Sequence, residues 1–254
     1  MSTRTPLVAA TWQMHTTIRR ALRLVEDVKA GIAAVRGVDV VICPPATALS
    51  TVGSALAGTP LMLGGQTMHW EAEGAFTGEI SAPMLVDVGC RAVLIGHSER
   101  RLYFGETNET VGLKVPAAMR HDLIPIVCVG ERLQERQAGE TDAVVTRQIH
   151  AAIRNTGEHD LRRLVIAYEP VWAIGTGQTA TGEEADRVAG VIRDGLAASG
   201  HREAGSSARI LYGGSVKPEN IGEFLGQPQI DGALVGGASL DAQAFAAIVR
   251  AAAG

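Results

Sequence analysis

The chain has 254 residues, of which 46% are hydrophobic and 30 are glycine, and its formal net charge is -4. This length allows one large domain with a sizeable core. The mild acidity argues against a nucleic-acid-binding protein, which would usually show a basic surplus. Cys43, Cys90 and Cys128 lie far apart and form no CxxC pair, so we expect buried free thiols in a reducing compartment. The apolar run after the polar N-terminus is too short for a signal or membrane segment, which favours a cytoplasmic protein.

Short apolar runs alternate with amphipathic stretches along the chain. The apolar runs are continuous, as in strands that are buried on both faces. They predict strands at 7–11, 39–43, 60–64, 92–96, 124–129, 164–169, 209–212 and 232–235. Helical patterns lie between them at 18–30, 46–57, 82–88, 109–121, 142–155, 182–199, 218–225 and 241–252.

This alternation predicts an α/β fold, a closed (β/α)8 barrel that forms a single domain over residues 1–254. A doubly wound parallel sheet is the competing architecture. In a barrel, functional residues lie on the loops that follow the carboxyl ends of the strands. The chemically unusual residues of this chain fall at those positions.

The loop over residues 65–79 is long and carries Trp70 and Phe76. A long loop with aromatic side chains is typical of a subunit interface, although it could instead pack on its own barrel. The histidines outside the strand-end motifs show no metal-ligand spacing, and we interpret them as structural or surface residues: His15, His69, His121, His150, His159 and His201.

His97 follows the fourth predicted strand, and Ser98 could cap a short helical turn there. An imidazole at a helix N-terminus faces the positive end of the helix dipole, which disfavours the protonated ring. A neutral imidazole could donate a hydrogen bond to a substrate carbonyl. A histidine that satisfies local backbone groups is the alternative. Glu99 and Arg100 fit an ion-paired scaffold better than a chemical role.

Glu169 ends the sixth predicted strand, and a proline, a tryptophan and two glycines follow before the next helix begins near Thr181. This order is typical of a catalytic base next to a hinged lid. A carboxylate can take a proton from carbon when lid closure excludes water.

Two glycine pairs follow the last two predicted strands, at 213–214 and 236–237. Glycine lets backbone N–H groups approach an anion closely, and barrels often bind phosphate at these two loops. The two pairs therefore predict a phosphate site, although glycine pairs also occur in ordinary turns. Tyr212 precedes the first pair and could be a core residue or a latch for the lid.

The chain resembles the triosephosphate isomerase family over essentially its whole length. The motifs that carry the resemblance are 96–100, 167–180, 212–216 and 231–240. The resemblance implies a TIM barrel, an aldose–ketose isomerase of a small sugar phosphate, and no metal or organic cofactor. It also implies a homodimer in which the loop around Thr77 reaches into the partner.

The resemblance also implies roles for individual residues. Glu169 would move a proton between adjacent carbons, and His97 would polarise the carbonyl, with support from Glu99. Tyr212 would latch the closed lid. The substrate phosphate would be held by Gly175, Ser215, Gly236 and Gly237.

The chain departs from the family pattern at the end of the first strand. The family has an active-site lysine where this chain has Gln13, so the usual positive charge near the phosphate and the developing enediolate oxygen is missing. Thr11, Thr67 and Gln178 also differ from the pattern. The base, the lid and the phosphate loops are kept, while the polar corner near the first strand is rebuilt.

Residues 68–70 and 105–114 are similar to the four-carbon, erythrulose-phosphate isomerases of the same family, which also keep the lysine. Three functions therefore stay open at this point. The first is triose phosphate isomerisation, impaired by Gln13, and the second is isomerisation of a four-carbon sugar phosphate. The third is a non-catalytic barrel that binds sugar phosphates.

Overall fold

The computed structural model describes residues 4–174 and 179–254 of the chain. Within these ranges, eight parallel strands form a closed barrel in chain order. The strands are β1 (Leu7–Thr11), β2 (Asp39–Cys43), β3 (Met62–Gly65), β4 (Cys90–Ile95), β5 (Ile124–Val129), β6 (Val165–Tyr168), β7 (Arg209–Tyr212) and β8 (Gly232–Val235). The helices are α1 (Ile18–Gly31), α2 (Leu49–Leu56), α3 (Ala82–Asp87), α4 (Ser98–Tyr103), α5 (Asn108–Arg120), α6 (Leu133–Gln137), α7 (Thr141–Ile153), α8 (Glu158–Leu161), α9 (Gly182–Ala198), α10 (Arg202–Ser207), α11 (Ile221–Leu225) and α12 (Ala242–Ala252).

The barrel closes where β1 pairs with β8. Leu7 stands opposite Gly232 in this register. Gly232 has a φ of 148°, and a Cβ at this position would lie 1.9 Å from the carbonyl oxygen of Leu7. Only glycine fits this approach of the two backbones. The closure rules out the doubly wound sheet, which is open and has two edge strands.

The strand residues alternate between two apolar cores. In β1, Leu7 and Ala9 point into the barrel and pack with residues such as Leu94 and Leu211. Val8 and Ala10 point outward and belong to the larger core between the barrel and its helices. Every residue of β1 is buried, which confirms the reading of continuous apolar runs as strands covered on both faces.

The predicted strands are all present, with ends that differ by up to two residues. The observed helices differ more from the predicted ones. The predicted helix at 46–57 is a 3-10 turn, Ala46–Ala48, followed by α2, and the helix predicted from residue 218 begins at Ile221. Three short helices, α6, α8 and α10, were not predicted. Each has six residues or fewer, which is too short for a 3.6-residue apolar period to repeat.

The prediction of buried free thiols is confirmed for Cys43, Cys90 and Cys128, and the reducing compartment stays a prediction. Burial raises the pKa of the Cys90 thiol to about 12. None of the helices in the described part of the chain has the length and apolar character needed to cross a bilayer. The extent of the domain, residues 1–254, stays a prediction.

Candidate active site

A cavity of about 370 Å³ opens at the carboxyl ends of the strands. Residues after β1, β4, β6, β7 and β8 line it, so segments far apart in sequence meet at one end of the barrel. The lining includes Thr11, Gln13, His97, Glu169, Ile174, Gly213, Gly214, Ser215, Val216, Lys217, Leu234, Gly236, Gly237 and Ala238.

Glu169 follows β6 directly, and its side chain is almost fully buried beside the start of α4. Its Oε2 accepts a hydrogen bond from the Ser98 backbone N–H at 2.9 Å, and its Oε1 accepts one from Ser98 Oγ at 3.3 Å. His97 Nε2 lies 3.1 Å from Oε1. Three polar groups therefore hold the carboxylate against α4.

His97 is the N-cap residue of α4, and its Nδ1 accepts a hydrogen bond from the Glu99 backbone N–H at 3.4 Å. The prediction that Ser98 caps this helix was wrong, because Ser98 is its first helical residue. In a neutral imidazole, an accepting Nδ1 leaves the proton on Nε2. The ring therefore directs an N–H donor at Glu169 and into the cavity.

Gln13 occupies a strained backbone position, with a φ of 52°. The amide of Gln66 holds this turn by donating to the Gln13 carbonyl oxygen at 3.0 Å. The side-chain Nε2 of Gln13 donates to Glu99 Oε1 at 2.5 Å. Its Oε1 lies 4.0 Å from the place of a Cβ on Gly236. The neutral amide of Gln13 thus lies between Glu99 and the glycine pair at 236–237.

The two glycine pairs both line the cavity, with Ser215 after the first pair. Gly213 is needed next to Glu169, because a Cβ there would lie 2.9 Å from Glu169 Cγ. The Gly213 backbone N–H donates to the Tyr168 carbonyl at 2.7 Å and ties the loop to β6. Gly175, the fourth predicted phosphate residue, lies outside the described residues.

The start of the predicted lid is anchored by a carboxylate that the sequence analysis missed. Trp172 Nε1 donates to Glu131 Oε1 at 2.8 Å, and the Tyr168 hydroxyl donates to both oxygens of Glu131 at 3.2 Å. The Arg136 guanidinium stacks over the Trp172 ring at 4.0 Å. Burial raises the pKa of Glu131, and these donors only partly offset that cost.

Tyr212 is a buried side chain stacked on Phe224, with ring centroids 3.7 Å apart. Its hydroxyl has no hydrogen-bond partner within the described residues. Burial raises its pKa to about 12, while the backbone of Ala180 beside the hydroxyl acts in the opposite direction. The phenol is therefore both a core residue and a neighbour of the far end of the predicted lid.

The loop at 65–79 is partly packed on itself. The His69 ring stacks between Trp70 at 4.1 Å and Phe76 at 4.2 Å. Its tip, including Thr77, is exposed. The interpretation that this loop packs on itself is confirmed at its base, and its role at a subunit interface stays a prediction.

Two further contributors could have been found from the sequence. Ser98 sits inside the His97 motif, and Glu131 stands two residues after β5, as His97 stands two residues after β4. A polar residue just past a barrel strand, as after β4 and β5, was the signal. Among the described residues, no group of three or more His, Cys, Asp or Glu side chains is arranged to hold a metal ion.

Comparison with known proteins identifies the family. The family model described as "Triosephosphate isomerase" matches residues 6–252. The chain is 53% identical to the triosephosphate isomerase of Symbiobacterium thermophilum, over 98% of both chains. It is 53% identical to that of Moorella thermoacetica, over 97% of this chain and 98% of the relative. It is 51% identical to that of Chloroflexus aurantiacus, over 97% of this chain and 99% of the relative. The chain belongs to the triosephosphate isomerase family.

Proposed function

We propose that this protein is an aldose–ketose isomerase that interconverts glyceraldehyde 3-phosphate and dihydroxyacetone phosphate. The observation that carries the proposal is the meeting of Glu169 and His97, 3.1 Å apart, in a cavity that both glycine pairs also line. The full-length relatives named as triosephosphate isomerases support it.

Glu169 is the proposed base. It would first leave the Ser98 N–H and turn toward the substrate, where its carboxylate takes a proton from the carbon next to the carbonyl. The electron pair of that C–H bond moves onto the carbonyl oxygen and forms an enediolate. Return of the proton to the neighbouring carbon completes the exchange.

His97 is the proposed electrophile. Once Glu169 has turned away, the Nε2–H of His97 is free to donate to the substrate carbonyl oxygen. This hydrogen bond strengthens as negative charge develops on that oxygen, so it favours the transition state over the substrate. Glu99 supports the ring through the backbone bond to Nδ1, and the same imidazole could pass protons between the two substrate oxygens.

The substrate phosphate would lie against Gly236, Gly237 and Ser215, with Gly175 from the lid. Their backbone N–H groups suit an anion because no Cβ keeps it at a distance. Tyr212 would latch the closed lid through the Ala180 end. Gln13 adds a neutral amide near the phosphate, so we expect slow turnover compared with a site that carries a lysine.

A dimer also belongs to the proposal. The exposed tip of the 65–79 loop, including Thr77, would reach into a partner. Exposed apolar side chains on and just after α4 support this: Leu102, Tyr103 and Phe104. We also propose a cytoplasmic location, from the three buried free thiols.

The test is an assay of the purified protein on glyceraldehyde 3-phosphate, with Glu169→Gln as the variant. We expect weak but measurable isomerisation in the parent and a loss of at least about a hundredfold in the variant, since general base catalysis typically contributes that much or more. Ser98→Ala is the matched control, because it removes one hydrogen bond to Glu169 and keeps the base.

An unchanged rate in Glu169→Gln would refute the role of this residue. Erythrulose phosphates are assayed beside the triose phosphate. A clear preference for them would favour the four-carbon alternative. No turnover of either substrate, combined with binding of phosphate ligands, would favour the non-catalytic barrel.

A further inference from the structure

Lys217 is a positively charged residue that lines the cavity. Among the described residues that line it, Lys217 is the only lysine or arginine. It stands two residues after Ser215 and therefore at the edge of the proposed phosphate site. The family position that usually supplies the charge holds Gln13 instead.

The backbone of Lys217 is fixed against the phosphate loop by one side chain. Asn220 Oδ1 accepts from the Lys217 backbone N–H at 2.8 Å, and Asn220 Nδ2 donates to the Ser215 carbonyl at 2.8 Å. The amide of Asn220 thus connects the two positions. These two hydrogen bonds hold the Lys217 backbone beside Ser215, while the long side chain of Lys217 is exposed.

The side-chain ammonium of Lys217 makes no ion pair within the described chain. The other two lysines are committed: Lys29 Nζ lies 2.9 Å from Glu26, and Lys114 Nζ lies 3.1 Å from Glu106. An ammonium without a partner at the rim of a cavity is available for an incoming anion, and nothing has to be broken first.

The side chains around the site bring more negative than positive charge, so a cation is needed to bind an anionic substrate there. Glu169 and Glu99 bring carboxylates, and the Gln13 amide that joins Glu99 is neutral. A phosphate dianion would add two more negative charges to this corner. Backbone N–H groups carry only partial charges, so a full positive charge within a few ångströms would change the affinity strongly.

We propose that Lys217 supplies the cation that binds the substrate phosphate in this chain, in place of the charge that Gln13 lacks. This inference rests on the proposed function for its substrate class, a small phosphorylated sugar. Asn220 is the positioning residue, because it holds the lysine backbone beside Ser215.

The first test measures inorganic phosphate binding by titration calorimetry, without any turnover. We expect Lys217→Met to weaken binding by about tenfold or more and Lys217→Arg to keep most of the affinity. Lys29→Met is the matched control, since it removes the same charge from a lysine outside the cavity. Equal affinity in the parent and Lys217→Met, or no phosphate binding by the parent, would overturn the proposal.

The second test compares glyceraldehyde 3-phosphate with unphosphorylated glyceraldehyde. Lys217→Met should lower kcat/KM for the phosphorylated substrate by about tenfold or more and leave the unphosphorylated one within about twofold. An equal loss on both substrates would show that the lysine acts elsewhere and would overturn the assignment. Phosphate binding that depends on Lys217 in a protein without isomerase activity would refute the proposed function and keep this inference.

Discussion

At the scale of single residues, Gln13 decides how the site balances charge. Its Nε2 donates to Glu99 at 2.5 Å, so a hydrogen bond stands where a lysine would form an ion pair. The amide brings no charge to this position, and its oxygen faces the Gly236 loop. A substrate oxygen that becomes negative would meet an acceptor at this position rather than a cation.

We predict that Gln13→Lys raises kcat/KM for glyceraldehyde 3-phosphate by about a hundred- to a thousandfold. A full charge about 4 Å from the developing oxygen is worth roughly 4 kcal/mol at an effective dielectric of about 20, and most of that energy would act in the transition state. Steady-state kinetics of both proteins measures the gain.

Gln13→Met is the matched control, because it keeps the length of the side chain and brings no charge. It should lower activity or leave it unchanged. A parent that is already fast, with no gain in the lysine variant, would show that another group fully replaces the charge. In that case Lys217 is the first residue to examine.

At the scale of elements, α4 and α5 are joined through one buried carboxylate, Glu106. Its oxygens accept from the Gly96 N–H at 3.0 Å and from Arg100 Nε at 2.7 Å, and Lys114 Nζ lies at 3.1 Å. Burial raises the pKa of Glu106, but the charges of Lys114 and Arg100 outweigh it and hold the pKa below its usual value. These contacts of Glu106 hold the backbone at Gly96, between the end of β4 and His97.

We predict that Glu106→Gln destabilises the fold by about 3–5 kcal/mol at neutral pH, since it leaves the buried ammonium of Lys114 without its counter-charge. The lowered pKa means that the ionised carboxylate stabilises the folded state. That stability is complete above the pKa of an unfolded glutamate and is lost as pH falls through the lower folded pKa. Denaturant unfolding of parent and variant at neutral pH measures the destabilisation, and the same experiment at a pH of roughly 3 measures how much of it depends on the ionised carboxylate.

The difference between parent and variant should shrink in acid. Glu219→Gln, at an exposed carboxylate, is the control and should change the unfolding free energy little at either pH. A difference of the same size at both pH values would mean that Glu106 acts through packing rather than through charge.

The elements also show what sequence alone predicts. β1 and β5 were predicted with their observed ends, because a strand buried on both faces leaves an uninterrupted apolar run. Short helices such as α6 leave no comparable pattern. The chemistry at strand ends was predictable as residue types, and the family resemblance supplied the roles of Glu169 and His97.

Contacts between those residues were not predictable. The Gln13–Glu99 hydrogen bond joins residues 86 positions apart, and the Ser98–Glu169 bond joins residues 71 positions apart. Such pairs depend on the register of the closed barrel and on side-chain rotamers. No local pattern in the chain encodes them, so Gln13 could be recognised as unusual but its partner could not be derived.

At the scale of the whole molecule, α4 links the site to an exposed apolar surface. Its N-terminus carries His97, and its C-terminal end exposes Leu102 and Tyr103, with Phe104 following at 68% exposure. Three consecutive exposed apolar side chains are unfavourable in water and are typical of an interface. An oligomer that covers them would also hold the segment that positions the imidazole, so assembly and activity should be coupled.

We predict that Phe104→Asp converts a dimer into monomers and lowers kcat by about tenfold or more, because an uncovered α4 would position His97 less well and a misplaced catalytic group is costly. Sedimentation velocity and kinetics on the same samples measure the two effects together. Leu133→Asp is the control, since Leu133 is also an exposed apolar side chain but lies on α6 and not on the helix that follows His97. It should leave both the oligomer and the rate unchanged. A monomeric parent, or a monomeric variant with the full rate of the parent, would contradict the coupling between assembly and the site.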